Sequence, residues 1–307
     1  MQKPLDNPKD TKQRIMGLSV GVPTSAFLFT SLIGFNAAQV ASLVVYPFSK
    51  KKFRFLNKTV AASFWGMCVV VADKIYGTHI VMTGDDVPYG ENAICIANHQ
   101  QMTDIPYIFF LALAKGRLGD LKWMAKNIIK YVPGVGWGLL FLDTVFLDRD
   151  WASDEEHIRA TFANLTQNDV PTWLISFPEG TRITPKKLEK SQQYAKSKKL
   201  PELKHLLLPR TKGFVASMVG LREHVRAVYD FTLGYEAGVP TLWQFIEGFT
   251  RVAHLHVRRY PIEELPTDHE SLSSWIMDRY VEKDALLDEF YRTGHFPGPE
   301  RTLPAGA

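Results

Sequence analysis

The sequence has few cysteines, and their scarcity excludes the classes of protein that depend on disulfide bonds or on zinc. It holds two cysteines, Cys68 and Cys95, which excludes a disulfide framework. No C-x-x-C motif or Cys/His cluster is present, so no zinc site is predicted. Both cysteines lie in apolar runs, and we expect buried free thiols on the reducing, cytosolic side of a membrane.

No motif for DNA or RNA binding is present, and the net charge of +4 is too small to argue for a nucleic-acid partner. The mild basic excess instead suits anionic partners such as phosphates or a membrane surface. Hydrophobic residues make up 46% of the chain and charged residues 22%. That composition supports a sizeable core, and 307 residues allow one large domain or two small ones.

Charged residues are missing altogether from residues 15–49. As one helix this stretch would be about 50 Å long, against a hydrocarbon core of about 30 Å. It contains Pro23 and Gly34, which leaves three alternatives: a tilted or kinked span, two shorter helices that enter and return, or a buried helix pair. A cleavable signal peptide is excluded, because the apolar part is too long and no clear cleavage site follows.

A basic cluster, Lys50–Arg54, follows the uncharged stretch and suits anionic lipid headgroups. A second uncharged run, residues 59–72, is too short to span a membrane alone. We expect it to lie in the interface or to pack against the first. Basic residues flank the first run on both sides, so the positive-inside rule gives no firm orientation.

From residue 79 onward, short apolar runs alternate with stretches of helical periodicity. This alternation predicts an α/β domain with a largely parallel sheet. The predicted strands are 79–83, 93–97, 121–125, 144–147, 172–177, 206–208, 225–235 and 254–260, and the predicted helices are 105–114, 154–166, 211–219 and 271–291.

Other segments have weaker patterns. Ser153, before a run of acidic residues, predicts a helix start, and the alternating glycines of Gly134–Gly138 predict a loop. Lys186–Leu200 is rich in Lys and Gln and predicts a solvated helix or loop, or else a surface that faces lipid headgroups. The tail from Gly294 is rich in Pro and Gly, and we expect it to be poorly ordered.

The stretch Asn98–Asp104 lies where a predicted strand ends and a predicted helix begins, the usual place for a site in an open α/β sheet. Thr103 is the predicted N-cap of that helix. Positions five apart on a straight helix point about 140° apart, so His99 and Asp104 meet only if His99 folds back over the helix start. Asp104 would then hold one imidazole nitrogen and leave the other free as a base.

Three later stretches place cations where strands end. Phe177–Arg182 combines glycine, which allows close approach of the backbone to a ligand, with an arginine suited to phosphate. Within it, Glu179 has two candidate partners, that arginine or a substrate hydroxyl. Val145–Arg149 and Leu208–Phe214 add further cations, the second at a predicted helix N-terminus that would attract anions.

Together these stretches resemble the glycerolipid acyltransferase family, whose best-known members are 1-acylglycerol-3-phosphate (lysophosphatidic acid) acyltransferases. The family carries an Asn-His-x4-Asp motif, an arginine block, a Phe-Pro-Glu-Gly-Thr-Arg block and a proline block, in this order. Here these are Asn98–Asp104, Phe146–Arg149, Phe177–Arg182 and Leu206–Pro209. The resemblance covers roughly residues 79–235.

Finer features resemble the eukaryotic membrane branch of that family, notably residues 149–151 and 209–214. The stretch His254–Pro266 is especially similar to lysocardiolipin and lysophosphatidylinositol acyltransferases. Gln101 stands where many relatives have serine, so we expect the fit of donor or acceptor to differ. Relatives often continue into further apolar C-terminal segments, so this chain is either naturally short or truncated.

The resemblance implies a glycerol-phosphate-acyltransferase-like fold, a mixed, largely parallel sheet flanked by helices, with N-terminal membrane helices. It implies transfer of an acyl group from acyl-CoA to a lysophospholipid hydroxyl, with His99 as general base and Asp104 fixing its tautomer. No covalent acyl-enzyme is then required. The residues expected to hold the acceptor are Arg149, Glu179, Gly180, Thr181, Arg182 and Lys212.

The expected acceptor is 1-acyl-sn-glycerol-3-phosphate, which would give phosphatidic acid. A lysophosphatidylinositol or lysocardiolipin acyltransferase is the alternative, and a hydrolase and a non-catalytic membrane scaffold are more distant rivals. We expect no metal and no cofactor, since acyl-CoA is a co-substrate. The expected partners are the lysophospholipid, acyl-CoA and the lipid bilayer, without nucleic acid.

Three regions follow from this interpretation. Residues 1–78 are predicted to form membrane-anchoring helices, residues 79–265 the α/β acyltransferase domain, and residues 266–307 a C-terminal helix and tail. The predicted location is the endoplasmic reticulum membrane with the catalytic domain facing the cytosol, and the mitochondrial outer membrane is the alternative.

Overall fold

The computed structural model describes residues 2–148 and 151–303, and only the backbone of residues 151–153. The strands are β1 (His79–Gly84), β2 (Ala93–Ala97), β3 (Leu121–Lys126), β4 (Val145–Leu147), β5 (Trp173–Ser176), β6 (Ala227–Gly234), β7 (Val252–Pro261) and β8 (Arg301–Leu303). The helices are α1 (Thr11–Ala41), α2 (Lys50–Lys74), α3 (Asp104–Ala114), α4 (Val135–Leu139), α5 (Trp151–Gln167), α6 (Pro185–Lys198), α7 (Thr211–Leu221), α8 (Leu242–Ile246) and α9 (His269–Thr293).

The strands of the described residues form one sheet in the order β4-β3-β5-β2-β6-β7-β1-β8. Neighbours from β4 to β6 are parallel, whereas β7 is antiparallel to β6 and β8 is antiparallel to β1. The predicted mixed, largely parallel sheet is therefore confirmed. Since β2 to β6 run the same way, the segments that follow them, with the predicted motifs, emerge at one edge of the sheet, called here the carboxyl edge.

Helices cover both faces of the sheet, which explains why the central strands are continuous apolar runs. Every residue of β2 is buried. On one face α2 and α3 pack together, with Trp65 stacked on Phe109 at 5.3 Å between ring centroids. On the other face lie α5, α7 and α9, where Phe214 stacks on Trp275 at 5.4 Å.

A buried ion pair fixes α9 to the sheet. Lys283 Nζ lies 2.5 Å from Asp230 Oδ1 on β6, and the two side chains are almost fully buried. Lys283 also donates to the Phe231 carbonyl at 2.6 Å. Because removing one partner of such a pair leaves an uncompensated buried charge, α9 is held in one position on the sheet.

Several local predictions were wrong, and long-range contacts give the reason. Residues 206–208 form no strand, since side chains bind their backbone: Leu207 N donates to Glu179 Oε2 at 3.1 Å and Leu208 N to Ser191 Oγ at 3.0 Å. The tail beyond Gly294 is not wholly irregular, because β8 adds to the sheet beside β1.

Two helices and one helix cap also differ from the prediction. Gly134–Gly138 is not a loop, because most of it forms α4. Helix α5 begins at Trp151, three residues before Asp154, the first residue of the predicted helix. Thr103 precedes α3 as predicted, but its hydroxyl donates to the Pro240 carbonyl at 3.2 Å instead of capping the helix. Lys186–Leu200 is mostly helical, as α6.

Helix α1 turns its apolar side chains outward, whereas α2 buries Trp65, Val69 and Val71 in the core. Helix α1 is one continuous helix through Pro23, and its buried residues are small or polar: Gly17, Gly21, Thr24, Asn36 and Gln39. Its exposed residues include Ile15, Met16, Leu18, Val22, Phe27, Phe29 and Val40. The alternatives of a buried helix pair and of two short helices within residues 15–49 are therefore wrong.

The second uncharged run belongs to a longer helix than predicted, because α2 begins at Lys50 within the basic cluster. Thr11–Val44 and Lys50–Lys74 are both long and apolar enough to cross a membrane. Helix α1 nevertheless lies along the surface of the α/β domain. Near its start Gly17 meets the Phe249 ring, and near its end Gln39 Nε2 donates to the Gly138 carbonyl at 3.2 Å.

Candidate active site

His99 and Asp104 meet at the carboxyl edge, directly after β2. His99 Nδ1 lies 2.9 Å from Asp104 Oδ2, so His99 folds back over the start of α3, which is the condition for this contact. The imidazole ring stacks on Phe177 at 4.1 Å, and the side chain remains 13% exposed. With Nδ1 held by the carboxylate, Nε2 is the nitrogen left to act on a substrate.

The Asp104 carboxylate is buried and organises the loop around it. Its Oδ2 also accepts from the backbone N–H groups of Gln100 at 2.7 Å and Gln101 at 2.9 Å. Its Oδ1 accepts from the Tyr235 hydroxyl at 2.6 Å. A buried carboxylate requires such donors, and these fix its orientation toward the imidazole. Tyr235 was not predicted, because it lies 131 residues away in sequence.

Asn98 and Gln100 have structural roles beside the pair. The Asn98 side chain donates to the Leu233 carbonyl at 3.0 Å and accepts from its N–H at 2.8 Å, as a neighbouring strand would. Gln100 Nε2 donates to the same carbonyl at 2.8 Å. The loop that carries His99 is thereby fixed to the end of β6.

Glu179 connects His99 to a more distant segment. Its Oε1 accepts from the backbone N–H of His99 at 2.8 Å, and its Oε2 accepts from Leu207 N at 3.1 Å. The side chain is 3% exposed, and this burial raises the pKa of the carboxyl group to about 8, against the opposing effect of the two hydrogen bonds. Both oxygens bind backbone groups, so Glu179 does not hold Arg182, and its predicted contact with substrate stays a prediction.

The turn after Glu179 brings cations to the site. Arg182 Nη1 donates to Gln101 Oε1 at 2.5 Å, which joins the two motifs through the residue that departs from the serine of many relatives. The Thr181 hydroxyl accepts from Lys187 Nζ at 2.7 Å. Lys187 follows the motif by five positions, in the segment predicted to be solvated or to face lipid headgroups.

Gly180 has a φ of 68°, a conformation that favours glycine. A Cβ there would lie 3.2 Å from Arg210 Cδ, so glycine also makes room for that side chain. Arg210 is a second cation that the predicted site omitted. Lys212 lies exposed in the first turn of α7, while Arg149 falls outside the described residues.

An open groove of about 870 Å³ adjoins this turn, between α6, residues 207–211 and α9. Lys187, Lys190 and Arg210 line it together with the carboxylates of Glu270 and Asp278. In the part of the chain that the structure describes, no group of three or more His, Cys, Asp or Glu side chains is placed to hold a metal ion.

Comparison with known proteins agrees with this arrangement of motifs. The acyltransferase family model matches residues 79–236, and the model of the acyltransferase C-terminus matches residues 244–306. The chain therefore belongs to the acyltransferase family, and it is an enzyme of the O-acyltransferase type.

Curated relatives extend the match over most of the chain. The human 1-acyl-sn-glycerol-3-phosphate acyltransferase delta is 38% identical over 276 residues, covering 88% of this chain and 73% of its own length. The 1-acyl-sn-glycerol-3-phosphate acyltransferase 2 of Brassica napus is 34% identical, covering 92% of this chain and 74% of its own.

A crystal structure shares the fold. The 1-acyl-sn-glycerophosphate (LPA) acyltransferase PlsC from Thermotoga maritima superposes with a TM-score of 0.53, covering 90% of this chain and 96% of that chain. At 16% sequence identity this likeness concerns the fold alone.

The raised pKa of Glu179 predicts a specific pH dependence of stability. An unfolded glutamic acid titrates near pH 4.3, whereas Glu179 titrates at about 8 in the folded protein. Between these values the folded state holds a proton that the unfolded chain has lost, so Glu179 makes the free energy of unfolding fall as pH rises. Replacing it by Gln removes this contribution.

The measurement is urea unfolding of the wild type and Glu179→Gln in detergent at about pH 5, 7 and 9. Glutamine cannot accept both backbone hydrogen bonds, so we expect the variant to be less stable near pH 5 and the deficit to shrink toward pH 9. Exposed Glu156→Gln is the control and should show no such trend. A deficit independent of pH would refute the raised pKa.

Proposed function

We propose that the protein transfers an acyl group from acyl-CoA to the free hydroxyl of 1-acyl-sn-glycerol-3-phosphate, giving phosphatidic acid. The observation that carries this proposal is the His99–Asp104 pair, 2.9 Å apart, at the carboxyl edge of a chain in the acyltransferase family. The names of the curated relatives support the choice of acceptor.

In the proposed mechanism His99 acts as general base. Nε2 accepts the proton of the lysophospholipid hydroxyl while its oxygen attacks the thioester carbonyl carbon, because an unassisted alcohol is a poor nucleophile near neutral pH. The tetrahedral intermediate then expels the CoA thiolate, which takes the proton back from the imidazolium. Asp104 stabilises the imidazolium and fixes the tautomer, and the substrate hydroxyl takes the place of the serine of a hydrolase triad.

The acceptor phosphate is proposed to bind cations beside the imidazole. Arg182 is the first candidate, because it lies on the loop whose Ile183 N donates to the His99 carbonyl at 3.0 Å. Arg149, Gly180, Thr181 and Lys212 are the other proposed binding residues. We give Glu179 a positioning role, because its carboxyl group binds the backbone of the His99 loop.

Membrane association through α1 and α2 is part of the proposal. Both the start and the end of α1 contact the α/β domain, and its apolar side chains face outward. A helix whose polar residues are buried and whose apolar residues are exposed suits lipid as its surroundings. We propose that both helices lie on or in one leaflet beside the domain, without carrying the chain across the bilayer.

The first prediction from the proposed mechanism concerns His99→Ala. This variant should lower the rate of transfer by about 10²–10⁴ because the general base is lost. Circular dichroism should show an unchanged fold. The matched control is His157→Ala, an exposed histidine on α5 that should retain wild-type turnover. CoA release is followed with and without lysophospholipid, and release that does not require the acceptor would indicate a hydrolase.

The second prediction from the proposed mechanism concerns phosphate binding and uses the variants Arg182→Lys and Arg149→Lys. Lysine cannot reproduce a bidentate contact with phosphate, and a charge-assisted hydrogen bond contributes about 1.5–3 kcal/mol. We expect the KM for the lysophospholipid to rise about ten- to hundred-fold, and that for acyl-CoA to change much less. Arg226→Lys, beyond the opposite end of β6, is the control.

Saturation curves for each substrate distinguish the outcomes of these arginine variants. An effect on acyl-CoA alone would reassign the arginines to the CoA phosphates, and no effect on either would leave them structural roles. A panel of lysophospholipid headgroups measured with one acyl-CoA tests whether 1-acyl-sn-glycerol-3-phosphate is the preferred acceptor over lysophosphatidylinositol and lysocardiolipin.

The third prediction concerns the side of the membrane on which the α/β domain lies. We propose the endoplasmic reticulum membrane with the site on the cytosolic side, since acyl-CoA is made there and both cysteines are free. Asn164, in an Asn-Leu-Thr sequence on α5, is partly exposed and should carry no glycan. Asn57 is fully buried and cannot serve as a reporter. A glycan on Asn164 in native membranes would place the domain in the lumen.

A further inference from the structure

The connection between β3 and β4 exposes an unusual number of large apolar side chains. Residues 127–142 form a short 3-10 helix, Asn127–Tyr131, and then α4, and none of the five residues of the 3-10 helix is buried. Ile128 and Tyr131 are each 67% exposed. Val132, Val135, Trp137 and Leu140 are also exposed.

This apolar surface is continuous with that of the N-terminal helices. Leu32 of α1 packs against Gly134, and the rings of Phe53 of α2 and Phe141 lie 6.1 Å apart. Arg54 of α2 binds Asp143 at 3.3 Å. Residues 127–142 thus pack against α2 and extend the outward apolar face of α1 instead of forming a separate patch.

The charges around this surface match an anionic lipid headgroup layer. Lys126 is exposed immediately before residues 127–142, and Lys130 Nζ lies 5.0 Å from the centroid of the Tyr131 ring. The exposed lysines Lys50–Lys52 begin the adjacent α2. Aromatic and basic side chains beside aliphatic ones are typical of a helix at the bilayer interface.

The same connection begins at the carboxyl edge, where its first residue binds the residue that follows β4. Lys126 is the last residue of β3 at the carboxyl edge, and Asn127 Nδ2 donates to Asp148 Oδ1 at 2.6 Å. Asp148 immediately precedes Arg149. The apolar surface therefore reaches the edge of the sheet at which His99 lies.

The geometry points to residues 127–142 as a second membrane-contacting element, the lipid-facing segment, which rests in the same leaflet as α1 and α2 and brings the carboxyl edge to the lipid surface. The lysophospholipid acceptor then keeps its acyl chain in the leaflet while its headgroup reaches His99. This inference rests on the proposed function for its acceptor and on the proposed membrane association of α1 and α2 for the leaflet.

A depth measurement tests the contact directly. An environment-sensitive fluorophore is attached to Val135→Cys in a Cys68→Ala background and, as a matched control, to Tyr89→Cys, whose tyrosine is 78% exposed before β2, at the opposite edge of the sheet. On vesicles of phosphatidylcholine and phosphatidic acid, we expect a blue shift and quenching by brominated lipid at position 135 only.

The inference is overturned if, on vesicles that bind the protein, the fluorophore at position 135 reports an environment as aqueous as that at position 89. A shift at 135 that grows with the ratio of protein to lipid would also overturn it, by indicating contact between two copies of the chain. If the wild type lacks transferase activity, the proposed function fails, whereas the depth result still decides the membrane contact.

A functional readout uses Tyr131→Ser combined with Trp137→Ser, with Tyr89→Ser as control. Removing two interfacial aromatic side chains should raise the apparent KM for a long-chain lysophospholipid in vesicles by about tenfold or more. Activity on a short-chain, water-soluble acceptor should persist. Equal losses on both acceptors would indicate a structural role for these side chains and contradict the inference.

Discussion

The buried carboxylate of Asp104 is the interaction around which the site is built. It accepts hydrogen bonds from the backbone of Gln100 and Gln101, from the His99 ring and from the Tyr235 hydroxyl. A buried carboxylate needs several hydrogen-bond donors in place of water. Asp104 also lies at the start of α3, where the helix dipole favours a negative charge. Because three of the donors belong to consecutive residues, satisfying the carboxylate folds the loop back. The orientation of His99 is thus a consequence of burying Asp104.

Glu179 extends this arrangement to segments far apart in sequence. Its two oxygens join the loop after β2 to Leu207, and Ile183 N in turn donates to the His99 carbonyl. The ring of Phe177 stacks on His99 from the same turn. Three of the four family motifs therefore form one hydrogen-bonded unit. Each of these motifs supplies a contact that another requires, so the site forms as one unit.

Sequence patterns predicted the strands and helices whose formation depends on residues close together in the chain. Apolar runs and helical periodicity predicted every strand from β1 to β7 and helices α3, α5, α7 and α9, because buried faces require apolar residues at regular spacing. Helix α6 is solvated, and its segment was predicted only as a helix or a loop. The prediction failed where residues distant in sequence determine the local backbone conformation. Residues 206–208 have a strand-like composition, but Glu179 and Ser191 bind their backbone. The spacing of His99 and Asp104 allows their contact only if His99 folds back, and the motif's resemblance to the family supplied the expectation that they act together. Tyr235 and the bond between Arg182 and Gln101 depend on strand order and on a loop-to-loop contact.

The uncharged N-terminal stretch predicted apolar helices but not the direction in which they face. In water a helix buries its apolar stripe, whereas α1 buries Gly17, Gly21, Asn36 and Gln39 against the domain. Small and polar residues at a packing surface are typical of helices whose other neighbours are lipids. The lipid-facing segment follows the same logic and is joined to the carboxyl edge by the bond between Asn127 and Asp148. An amphipathic acceptor has its reactive hydroxyl at the boundary between headgroup and acyl chain, so an enzyme for it needs its base where an apolar surface meets a polar site. In the proposed arrangement, the first residues of the lipid-facing segment lie at the carboxyl edge and bring these two surfaces together.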